Sequence, residues 1–127
     1  MNTYEEIREH RCDFVVSYLL YPPEDGGRIL TYQHLRCDFM YEGDDPKTDG
    51  IYMIHPEFLG GDGKIVEEQI QISLSGKALM WICIPEMRDE IHKHRVKVGT
   101  RGFFVEGTRK IGEVVVTNIV DMFSNHS

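Results

Sequence analysis

Residues Lys97–Val120 read KVGTRGFFVEGTRKIGEVVVTNIV, and this stretch decides the fold. Two runs, Lys97–Val105 and Lys110–Val120, are rich in β-branched and aromatic residues. Between them stands Glu106-Gly107-Thr108-Arg109, a turn signature that makes the pair a β-hairpin. Moving upstream, Glu86–Lys93 (EMRDEIHK) is the one stretch with helical character, about two turns and too short to hold alone. Before Pro85, Ala78–Ile84 (ALMWICI) is a short apolar run, read as a strand buried on both faces with Trp81 in the core. Ser75-Gly76-Lys77 reads as a turn, and Ile65–Leu74 as a strand alternating Ile70, Ile72 and Leu74 against Gln69, Gln71 and Ser73. Gly60–Gly63 is another turn, and Ile51–His55 a short strand closed by Pro56. His34–Glu42 (HLRCDFMYE) places Leu35, Cys37, Phe39 and Tyr41 on one face and His34, Arg36, Asp38 and Met40 on the other. Asp13–Leu20 (DFVVSYLL) is a further strand, stopped by Tyr21-Pro22-Pro23-Glu24-Asp25-Gly26-Gly27. Strand after strand joined by Gly/Pro turns implies an all-β protein, a small antiparallel barrel or sandwich.

The 127 residues suit a single domain, residues 1–127, with the barrel over about 11–121 and short flexible ends. Hydrophobic residues make up 41% and charged residues 28%, so a packed core is expected rather than disorder. No apolar run is long enough to cross a membrane as a helix, and residues 1–9 lack the apolar stretch of a secretory signal. Cys12, Cys37 and Cys83 are odd in number and widely spaced, which argues against a disulfide framework and for free thiols in the cytoplasm.

The net charge of −7 is unevenly spread. Residues 1–63 hold five Lys/Arg against thirteen Asp/Glu, whereas residues 64–127 hold nine against eight. An acidic protein is no general nucleic-acid binder, because neutralising phosphates needs a basic surface. A basic strip over Arg88–Lys110 could still make a local contact.

Several motifs imitate chemistry without completing it. Gly60-Gly61-Asp62-Gly63-Lys64 lacks the leading glycine and the trailing Ser/Thr of a phosphate loop, where Phe58 and Ile65 stand. Asp45–Gly50 opens like a calcium loop, but Lys47 and Pro56 occupy ligand positions. His92 and His94 have no identifiable third ligand. Cys83 sits in an apolar run, which raises a thiol pKa and hides it. No nucleophile, base and orienting group come together, so an enzyme is not expected.

Two segments resemble a known family. Phe14–Tyr32 (FVVSYLLYPPEDGGRILTY) is similar to the opening of the C-terminal (third) domain of the elongation factor Tu family, a long strand and an acidic turn ending Gly-Gly-Arg. Gly102–Ile119 (GFFVEGTRKIGEVVVTNI) resembles that domain's closing hairpin, with Glu106, Gly107, Arg109, Gly112, Val115 and Val116 on matching positions. Val105, Thr108, Lys110 and Ile29 depart from its pattern. The resemblance spans about residues 13–121 and implies a six-stranded antiparallel Greek-key barrel. In that family both turns lie near the T-stem backbone of aminoacyl-tRNA, which nominates Arg28, Glu106, Gly107 and Arg109 as contact residues. The family's GTPase domain has no counterpart in these residues, so no GTP cycle is implied.

The function expected is that of a non-enzymatic, elongation-factor-like bacterial barrel, a cytoplasmic interaction module with a translation-related setting. A protein partner is expected, with RNA binding weak or absent, and no nucleotide, metal, cofactor or membrane. Lys97, Arg101, Arg109 and Lys110 would come together on one hairpin, with Arg28 added from the first turn. Two other classes compete: an immunity or antitoxin protein whose acidic half neutralises a basic toxin, and a barrel that binds a small ligand in its mouth.

Overall fold

The structure, a computed structural model, describes residues 3–123. Six strands carry it: β1 (Phe14–Leu20), β2 (Asp38–Tyr41), β3 (Ile54–Leu59), β4 (Ser75–Ile82), β5 (Arg101–Glu106) and β6 (Arg109–Ile119). They form one sheet in the order β2-β5-β6-β1-β4-β3, and every pairing is antiparallel. The sheet curls until its edges meet at one bridge, where Phe39 and Tyr52 exchange two N–H···O bonds of 2.8 Å. Going round the curl, β1 lies beside β4, and β3 and β2 follow, which is the Greek-key order. The all-β expectation holds.

Alternation builds the core. Phe14, Val16, Tyr18 and Leu20 of β1 face inward, as do Ile54 and Phe58 of β3, Ala78, Met80 and Ile82 of β4, and Ile111, Val114 and Val116 of β6. Leu35, Cys37, Phe39 and Tyr41 share the inner face as their period-two spacing predicts. The last hairpin turns through Gly107 and Thr108, with Glu106 opposite Arg109 and Gly107 at φ +61°. A helical segment joins β4 to β5: α2 (Pro85–Met87), a π-helical turn (Arg88–His92) and α3 (Lys93–Arg95).

Five expectations need correction. Ile65–Leu74 is not a strand; it makes only single bridges, Ile65 to Leu59 and Gln71 to Tyr32. The expected turn Ser75-Gly76-Lys77 instead begins β4, because Gly76 sits opposite Tyr18 and leaves room for its ring, the phenol oxygen lying 3.2 Å from where a Cβ would stand. Pro56 does not close a strand but lies within β3, tolerated because β3 is an edge that needs no N–H there. His34 adopts φ +66°, so β2 starts only at Asp38.

The fifth concerns the amino-terminal end, read as loose up to about residue 9. Tyr4–Arg8 forms α1, capped by Thr3 Oγ1, which accepts from the Glu6 N–H at 3.2 Å. This arm lies against the outer face of β4. Residues 1–2 and most of the expected loose carboxyl-terminal end fall outside the described residues.

Candidate functional site

The first turn is built to double back. Pro23–Asp25 makes a single 3-10 turn, and the Gly27 N–H donates to Pro22 O at 3.0 Å. A Cβ on Gly27 would stand 1.6 Å from the Tyr21 carbonyl oxygen, so no other residue fits. The chain therefore delivers Arg28 against the tip of the last hairpin. There the Arg28 guanidinium donates to Glu106 Oε2, while Arg109 Nη2 donates to Glu106 Oε1 at 3.0 Å. One carboxylate holds two cations, which leaves a local surplus of positive charge. Lys110 adds to it, its Nζ lying 4.0 Å from the Phe103 ring centroid. Such half-exposed pairs contribute about 0–1 kcal/mol each, so they orient side chains more than they hold the fold. Beside them Ile29 is 81% exposed, and Leu30 and Tyr32 are exposed too.

Arg28, Glu106, Gly107 and Arg109 thus form one face at the hairpin tip, and Lys110, next along β6, reaches over the Phe103 ring. Lys97 and Arg101 do not join it. Arg101 begins β5 and Glu106 ends it, a separation of about 17 Å along the strand. Arg101 lines a different groove, with Glu42 and Glu113. Lys97 starts a turn in which its N–H donates to Thr100 Oγ1 at 3.0 Å. The basic strip is split between the two ends of the hairpin.

A second cluster escapes sequence reasoning. Glu57, on the outer face of β3, is 0% exposed, as is Trp81 on β4. The α1 arm covers both. The Tyr4 backbone N–H donates to Glu57 Oε2 at 2.9 Å, and the Tyr4 ring lies 5.8 Å from Trp81 and 5.0 Å from His34. Arg8 lies 5.8 Å from the Trp81 ring centroid and donates to Ile82 O at 3.3 Å. Burial pushes the Glu57 carboxyl above its usual range, only partly offset by the Tyr4 N–H and His34. The Trp81 indole N–H lies close enough to favour the carboxylate, yet Trp81 Nε1, Glu57 Oε1 and His34 Nε2 complete no hydrogen bond.

The helical segment carries a third group. Arg88 and His92, one wide turn apart, both point inward. Arg88 Nε donates to Asp13 Oδ1 at 2.8 Å, and Tyr41 Oη lies 2.6 Å from His92 Nδ1. Arg95 grips Asp44 with two bonds of 2.8 and 2.9 Å and lies 3.9 Å from the Tyr41 ring centroid. His94 is exposed while His92 is buried, so the two do not converge. Among the described residues no three His, Cys, Asp or Glu side chains are placed to hold a metal. Burial pushes the Cys12 and Cys37 thiols up to about 12, unsuited to nucleophilic work. Among the described residues no helix is long and apolar enough to cross a membrane.

No protein-family model matches the chain, and no curated protein matches it either.

Proposed function

We propose that this chain is a non-enzymatic interaction barrel, similar to the third domain of the elongation factor Tu family, whose working face is the meeting point of its first turn and last hairpin. The observation that carries this reading is the Glu106 carboxylate held between Arg28 and Arg109. It ties two distant segments, the two that resemble the family, into one surface. That surface offers cations around exposed Ile29, Leu30 and Tyr32, the pattern of apolar centre and charged rim that suits a protein with an acidic patch. RNA is the weaker partner, because a net charge of −7 opposes the approach of a polyanion and screening leaves the cations here only a short-range attraction. The reading carries with it a cytoplasmic, translation-related setting.

The test is affinity capture from the native cell with the wild-type chain and with Arg109→Glu/Lys110→Glu. Both residues are exposed, so the double variant should keep its melting temperature within a few degrees and lose the partner. Unchanged capture by the folded variant would move the working face to the acidic side, Asp38–Asp49, and favour the toxin-neutralising reading.

A further inference from the structure

Between the loop before β3 and the helical segment lies a cleft of about 260 Å³, lined by Ile51, Tyr52, Met53, Ile84, Met87 and His92. Its walls are aliphatic and thioether. At its mouth stand Met53, 48% exposed, and Ile84, 37% exposed, so the apolar lining is open to an entering molecule. His92 is 1% exposed and supplies the cleft's imidazole. Its Nδ1 is engaged by Tyr41, and among the described residues no hydrogen bond to its Nε2 is seen.

The Tyr41 hydroxyl has no other partner among the described residues; donating its proton to Nδ1 satisfies it and puts the ring hydrogen on Nε2, the tautomer the proposal below takes. Burial, with Arg95 and Arg88 nearby, pushes the imidazole down to about 4, so it is neutral at pH 7. Tyr52, bridged to Phe39, forms the floor, and its ring meets His92 edge-on at 4.9 Å. The histidine sits in a π-helical turn, a distortion often found where a side chain must be aimed.

We propose that this cleft binds a small, uncharged, mainly apolar molecule carrying one hydrogen-bond acceptor, received by the Nε2–H of His92. A cavity of about 150 Å³ accepts benzene, so this one suits a substituted or bicyclic ring. A charged ligand is disfavoured because no ionised group lines the cleft.

The experiment uses 1-indanone and its acceptor-free analogue indane, followed by the methyl signals of methionine-labelled protein. Saturable shifts at Met53 and Met87 with 1-indanone, and binding about tenfold weaker for indane, are expected from one lost hydrogen bond. Met53→Glu, an exposed change at the mouth, should abolish the shift at Met87 while the protein stays folded. Absent shifts, equal binding of the two probes, or unimpaired binding to Met53→Glu would each overturn the proposal. None of these outcomes depends on the hairpin face, so the two readings fail separately.

Discussion

His92 and Glu57 are two buried titratable groups that bend the stability of the fold in opposite directions. The folded imidazole is held near 4 against an ordinary 6.5. Its contribution is complete above the unfolded value and is lost as pH falls from 6.5 towards 4, about 3 kcal/mol in all. Glu57 runs the other way: its raised folded pKa makes it cost least when protonated, and the penalty grows as pH rises through that value. Glu57→Gln should therefore raise the melting temperature at pH 7, with the gain shrinking towards pH 4.5. Thermal melts of wild type and variant across pH 4–8 would show this, and a uniform gain would refute it. Neither group is legible in the sequence. Glu57 stands in a strand where outer-face carboxylates normally meet water; only the arm over Thr3–Cys12 buries it. His92 shows as half of a weak metal pair, and its bond to Tyr41, 51 residues away, leaves no local trace.

At the level of elements, the β5–β6 hairpin and β1 announce themselves, because alternation, β-branching and turn glycines agree. Ile65–Leu74 carries the same alternation yet is no strand, for it meets its neighbours only at single bridges, Ile65 to Leu59 and Gln71 to Tyr32. Trp81 is readable as buried but not by what. It belongs to no part of the inner cluster and is closed over by α1, His10 and Tyr4. Trp81→Ala should cost about 3–5 kcal/mol, measured by urea unfolding. Deleting residues 3–9 should shift the Trp81 emission to the red while the far-ultraviolet β signal persists; an unmoved emission would show that the arm is not its cover.

For the whole molecule, the proposed interaction face draws on residues 28 and 106, 78 positions apart and set side by side by the fold. Sequence similarity to a family could nominate both turns, but not the carboxylate between the guanidinium groups. Antiparallel pairing read from the sequence grouped Lys97 and Arg101 with Arg109, overlooking that a hairpin's two ends lie a strand length apart.

The curled sheet closes on one pair of hydrogen bonds, at Phe39 and Tyr52, whereas β1 and β6 are joined along seven registered pairs. Such a seam can part without melting the rest. Local opening there should expose the Phe39 and Tyr52 amides to deuterium well before those of Val16 or Val116, which are released only by global unfolding. The seam also borders the His92 cleft through Tyr52, so an occupant would bind across that bridge and slow exchange at both amides. The same molecule that fits the cleft would then act as the clasp of the barrel.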